Sequence, residues 1–284
     1  MKKTTKILPM AVVTAVAAAT IFRVFQLLFT VDYGEMGFYS AQAGFLPTYG
    51  FYLLLLILAA IFTAAVFIDS KKVNTAYKSD KNALTAKQTA ALGIAFIIAA
   101  CLNFRLDGLG MDFIAEVVLF IALAAIGFVI LGNKKIKPLV GYLTLPVAVS
   151  YTLKSASLFM GDTIITRVSD ELLLLLTYVS AVFFFLSLGR YFTDNESAGT
   201  RKKLMISASA CACLSACTSL AGYIAFFINR EYMSGRMEFH PVSEIGLLIL
   251  AVTVVFALYG KKSEFKETDD ETDNDKYETT ESGE

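Results

Sequence analysis

The sequence contains no tryptophan, one histidine and four cysteines, and only 18% of its residues are charged. Each scarcity removes a class of chemistry. A single histidine, His240, cannot build a paired-histidine zinc site or a histidine relay. None of Cys101, Cys211, Cys213 and Cys217 falls in a predicted external loop, so no disulfide framework is implied. A Walker loop, a dinucleotide fingerprint, a G-x-S-x-G elbow and paired-cysteine metal motifs are all missing. Soluble domains are about a quarter charged and roughly 45–50% apolar. This chain of 284 residues is 56% hydrophobic, with a mean hydropathy of +0.61. A soluble enzyme, a secreted disulfide scaffold and a disordered chain all fit poorly.

What is present is a series of apolar runs of about bilayer length, roughly 17–25 residues. Eight are expected to be membrane helices: Ile7–Phe29, Gly50–Ile68, Ala90–Leu102, Phe113–Leu131, Leu139–Met160, Leu172–Leu188, Leu204–Ile228 and Val242–Tyr259. The third is short and needs a start near Ala83 with Lys87 snorkelling to the headgroups. Backbone groups in hydrocarbon must be satisfied within the segment, which makes each run a helix. The expected fold is therefore an all-α polytopic bundle, a transmembrane domain over 1–262 with a tail over 263–284. The start, MKKTTK followed by AVAAA, has features of a cleaved signal, which would leave seven spans. The apolar run continues to Phe29 and favours an uncleaved helix.

Zero net charge conceals a segregation of sign. The tail Ser263–Glu284 holds ten acids and two lysines, a net of −8, and is expected to be disordered because little apolar surface offsets the entropy of ordering it. Segments before span one and after the even-numbered spans hold 17 basic residues, whereas the alternate segments hold four, Arg105, Arg167, Arg230 and Arg236. By the positive-inside rule both termini lie in the cytoplasm. The expected location is the cytoplasmic membrane. With no tryptophan, tyrosines near predicted span ends, Tyr33, Tyr39, Tyr49, Tyr52, Tyr151, Tyr191, Tyr232 and Tyr259, are expected to form the interfacial belt.

Spans one to four and five to eight show matching features, a candidate duplication with parallel halves 1–137 and 138–262. Arg23 and Asp32 lie opposite Lys154 and Asp162, Asn103 opposite Asn229, and Glu116 near Glu244. Met111-Asp112-Phe113 matches Met237-Glu238-Phe239, and Gly132 before two lysines matches Gly260.

Charges inside spans are the default place to seek function, since each costs roughly 2.5–3.5 kcal/mol at a helix centre. Arg23, with Gln26 one turn later, and Lys154 lie near the outer ends of spans one and five. Asp170, Glu171, Glu116 and Glu244 lie in the first turns of even spans. One reading is an outward-opening polar cavity in which Arg23 and Lys154 bind an anionic solute or lipid headgroup. The acids Glu116, Glu171 and Glu244 would hold those cations when it is empty. The simpler reading is helix-dipole complementarity and structural ion pairs, because acids at N-termini and cations at C-termini are favoured anyway. Pro241, Ser243 and Glu244 also read as ordinary helix-start chemistry.

Span seven, ISASACACLSACTSLAG over 206–222, is nearly all small residues. Such a helix packs closely, in the centre of a bundle or at a self-association face, with Ala212, Ser215, Ser219 and Gly222 as the packing surface. Its cysteines do not converge as a metal site requires. No catalytic residue, metal ligand or cofactor is assigned, and Asp107 and Asp112 are too dispersed for a divalent-cation motif. The cytoplasmic lysines are explained by topology and anionic lipid rather than nucleic acid. Three classes of function remain. In order, they are permease-like binding or transport of a small solute or lipid, a non-catalytic membrane subunit or sensor working through protein partners, and a lipid-modifying enzyme.

Overall fold

The computed structural model describes residues 7–29, 31–32, 38–39, 50, 53–61, 63–64, 86–103, 111–132, 137–161, 170–193, 198–228 and 241–259. Nearly all of this is helix. In chain order the helices are α1 (Ile7–Phe29), α2 (53–61), α3 (Ala86–Asn103), α4 (Met111–Gly132), α5 (Lys137–Gly161) and α6 (Asp170–Thr193). They continue as α7 (Ala198–Ser215), a π-helical turn (Ala216–Leu220), α8 (Ala221–Ile228) and α9 (Pro241–Tyr259). Between α1 and α2, Val31–Asp32 pairs antiparallel with Phe38–Tyr39, a two-residue bridge.

Among the described residues, five helical segments are long and apolar enough to cross a membrane: Pro9–Phe29, Ala86–Asn103, Phe113–Gly132, Leu172–Thr193 and Lys202–Ile228. This is fewer than the eight expected, and each shortfall has a reason. Only fragments of the second run are described. Helix α5 has 25 residues but contains Pro146, several hydroxyls and Lys154. Those hydroxyls bond back to the helix: Ser150 donates to the Pro146 carbonyl, Thr152 to that of Ala148 and Ser155 to that of Tyr151, each at 2.9 Å. These three hydroxyls are thus satisfied within the helix. The apolar part of α9, Glu244–Leu258, is short. Helix α3 begins at Ala86, with Lys87 exposed in its first turn.

Six helices close into a ring. Helix α3 packs on α4, α4 on α5, α5 on α6, α6 on α7, α7 on α9, and α9 back on α3. Helix α1 lies outside the ring against α7, the π turn and α8. The interior is one apolar core, with Phe96, Leu119, Leu123, Ile126, Phe184, Phe185 and Leu250 buried in it. This core runs without a break across the boundary between the two candidate halves, through the α4–α5 and α9–α3 contacts.

Glycine allows the closest of these contacts. A Cβ on Gly189 of α6 would stand 2.3 Å from Thr144 Oγ1 and 3.1 Å from the Gly141 carbonyl of α5. One on Gly246 of α9 would stand 3.0 Å from the Ala99 Cα of α3. Interfaces between apolar helices rely on such small residues because tight backbone packing replaces a hydrophobic driving force.

The small-residue surface of span seven is internal. Ala212, Ser215, Ser219 and Gly222 are all buried by the chain's own helices. The tail 263–284, His240, Asp107, Asn229 and Asp162 lie outside the described residues, as does the loop carrying Arg230 and Arg236.

Candidate functional site

The charged residues singled out in the sequence separate into two groups. The first surrounds Arg23, six residues before the end of α1 and 1% exposed. Its Nη1 donates to Gln26 Oε1, one turn later and fully buried. The guanidinium lies near Cys217 in the π turn, where α1 meets α7 and α8. Ala19, Cys217 and Leu173 of α6 pack together beside it.

The π turn arises from the local sequence. Ser219 Oγ donates to the Ser215 carbonyl at 2.5 Å, and Thr218 Oγ1 reaches the carbonyls of Leu214 and Ser215 at 3.1 and 3.2 Å. Hydroxyls that return to the preceding turn compete with backbone amides for those carbonyls. The Ala221 amide bonds the Ala216 carbonyl, the wider i→i+5 connection. Ser215 Oγ, at the start of the turn, is buried without a hydrogen bond among the described residues.

The second group fills one end of the ring interior. Lys154 Nζ of α5 lies 3.3 Å from Glu116 Oε1 of α4, the two side chains being 7% and 12% exposed. Tyr178 of α6 donates its hydroxyl to Glu244 Oε1 of α9 at 3.3 Å. The Lys154 ammonium stands 6.0 Å from the Tyr178 ring centre. Tyr151, one turn before Lys154, packs its ring 5.9 Å from Tyr178 and stacks at 5.7 Å on Phe185. Its hydroxyl lies near Asn103, at the end of α3. Asn103 Nδ2 donates to the Ala99 carbonyl at 2.7 Å, and its buried Oδ1 accepts no bond among the described residues.

Six polar side chains from α3, α4, α5, α6 and α9 therefore meet at one level. Chain direction produces this convergence. Lys154 stands seven residues before the end of α5, and Tyr178 eight residues into α6. At about 1.5 Å per residue, both lie roughly 10–12 Å from the same end of the ring. Glu116 and Glu244 occupy the first turns or so of helices running inward from that end.

Several expectations change here. The layer is packed: none of its side chains is more than 12% exposed, an outward-opening cavity having been one of the two readings of these charges. Tyr151 is buried in the ring, not in an interfacial belt, with its ring packed against Tyr178 and Phe185 of α6. Tyr191 is buried near the end of α6. Asp170 and Glu171 lie on the first turn of α6, and nothing of their side chains is described. Tyr178 and Asn103 were missed as site residues. The signal available for Tyr178 was depth, since it lies within one residue of the same distance from its helix end as Lys154 does.

The arrangement offers ion-pair and hydrogen-bond exchange among Lys154, Glu116, Tyr178 and Glu244. Cys211, Cys213 and Cys217 are buried and unbridged, and Cys101 is exposed. Among the described residues no group of three or more histidine, cysteine or acidic side chains could hold a metal ion. The chain matches no protein-family profile, and no curated protein or solved structure shows significant similarity to it.

Proposed function

We propose that this is a multi-pass protein of the cytoplasmic membrane that binds, in a permease-like manner, a small anionic solute or lipid headgroup at the polar layer of the ring. In this reading all eight apolar runs cross the bilayer and both termini lie in the cytoplasm, so the polar layer belongs to the outer side. The reading is supported chiefly by one observation, a cation–carboxylate pair and a tyrosine–carboxylate pair converging inside a closed ring of helices. Ionisable groups kept inside a transmembrane bundle despite their insertion cost are by default candidates for a substrate or ion pathway.

In the described arrangement the charges of the layer are already paired. Glu116 neutralises Lys154, and Tyr178 caps Glu244, so the layer carries no uncompensated cation at Lys154. An incoming anion takes the place of the Glu116 carboxylate at the ammonium, and the released carboxylate turns toward water. Arg23, on a different helix pair beside the π turn, positions α1 against the ring instead of sharing the ligand with Lys154.

Native mass spectrometry in mild detergent tests the proposal. The wild-type chain is compared with Glu116→Gln/Lys154→Met, which removes both charges together and leaves no orphaned ion. A discrete adduct on wild type that is lost from the variant is the expected result, and its mass names the solute class. A bare wild-type chain with intact helical content would overturn the reading and leave the charges as structural pairs.

A further inference from the structure

A second region of the molecule is not used by the polar layer. A groove of about 500 Å³ runs between α6 and α7, with Phe183 and Leu186 on one wall and Ile206 and Ala210 on the other. Phe183 is 62% exposed, so the groove opens to the outside of the ring. At one end it joins a cavity of about 420 Å³ lined by Arg190, Thr193, Thr200 and Lys203. Arg190, Thr200 and Lys203 line both spaces, making them continuous.

The shape and charge together specify an occupant. From Arg190 to Ser180, which also lines the groove, is ten residues of α6. At about 1.5 Å per residue this is about 15 Å, the thickness of one leaflet of a hydrocarbon core of about 30 Å. The cationic end lies where the helices leave the apolar zone, at the start of α7 and the end of α6. Among the described residues neither Arg190 nor Lys203 is in an ion pair. A guanidinium presents a planar fork that matches phosphate oxygens, and an ammonium adds a second point of charge.

We propose that this groove is a binding site for one anionic phospholipid, with its phosphate between Arg190 and Lys203 and an acyl chain along Phe183 and Ile206. On the orientation proposed above, the lipid comes from the cytoplasmic leaflet. A zwitterionic lipid fits less well, because its own ammonium would stand beside Arg190 and Lys203. The acidic tail 263–284 matches the charge, but its 22 residues include only Phe265 and Tyr277 as large apolar groups, too few to fill the groove.

The test is native mass spectrometry of the full chain in detergent, titrated with phosphatidylglycerol or with phosphatidylcholine of the same acyl chains. Wild type should retain one phosphatidylglycerol at concentrations where phosphatidylcholine is not retained. Each cation near an anionic headgroup contributes to affinity, and losing both in Arg190→Gln/Lys203→Gln should weaken retention about 30-fold. Both side chains are exposed, so the fold tolerates the change. Ser187→Phe keeps both cations, fills the groove and should also lower retention. Equal retention of the two lipids, or unchanged retention in Arg190→Gln/Lys203→Gln, overturns the proposal. So does a gain in phosphatidylglycerol retention on deleting residues 263–284 from a chain that otherwise does not prefer it, which would assign the cations to the tail. The polar-layer variant Glu116→Gln/Lys154→Met should leave this lipid adduct intact, which separates the two sites.

Discussion

Removing only the cation of the Glu116–Lys154 pair should cost far more than removing both charges. Lys154→Met deletes the cation and leaves the Glu116 carboxylate, 12% exposed, facing a helix interface instead of an ammonium 3.3 Å away. Breaking a buried pair in this way costs about 3–5 kcal/mol, and the residual exposure favours the lower end, about 3 kcal/mol. Glu116→Gln keeps a carbonyl that accepts from the ammonium, and a loss of about 1 kcal/mol is expected. In Glu116→Gln/Lys154→Met no charge remains to be desolvated, so the net cost should again be about 1 kcal/mol. The coupling energy is then about 3 kcal/mol, the upper end for groups in direct contact. An ordinary interhelical hydrogen bond in a membrane protein averages about 0.6 kcal/mol. The cycle can be measured by titrating SDS into mixed micelles of the four chains and following helix content by circular dichroism. A coupling at or below about 0.6 kcal/mol would refute the view that a desolvated ion pair closes this end of the ring.

Other expectations follow from the packing and the pairing. Gly189→Ala should destabilise by about 1–3 kcal/mol through overpacking, since its Cβ meets Thr144 and the Gly141 backbone, whereas Gly132→Ala, with nothing within 4 Å, should be nearly neutral. Thermal unfolding in one detergent would show this, and equal midpoints would contradict the close α5–α6 contact. Tyr178→Phe removes one hydrogen bond to a carboxylate while keeping the ring, and about 1.5–3 kcal/mol should be lost in the same SDS titration. If Tyr178→Phe matches wild type, the phenol does not hold Glu244. For topology, single cysteines placed by Ser40→Cys and Ser282→Cys in a chain stripped of its own four cysteines should label oppositely with an impermeant maleimide. Ser40→Cys should react in intact cells and Ser282→Cys only after permeabilisation; the reverse pattern would invert the proposed orientation.

Long uniform apolar runs made the helical class legible, because in hydrocarbon no other backbone arrangement satisfies its own polar groups. The small residues over 206–222 likewise placed that helix among others, since bulk decides how closely two backbones approach. The depth of Arg23, Lys154, Glu116 and Glu244 could be read from their distance to a run's end. What could not be read was which helix faces which. Lys154 finds Glu116 because α4 is its neighbour in the ring, and Arg23 instead meets a π turn because α1 lies outside it. Tyr151, expected in an interfacial belt, is core because its ring packs against Tyr178 and Phe185 of the neighbouring α6. Asn103 and Tyr178 joined the layer through contacts separated by tens of residues, as with the Tyr178–Glu244 bond, 66 positions apart. Composition and periodicity are local properties and set the solvent each segment requires. Pairing across a closed ring depends on helix order and rotation, and only the tertiary packing decides those.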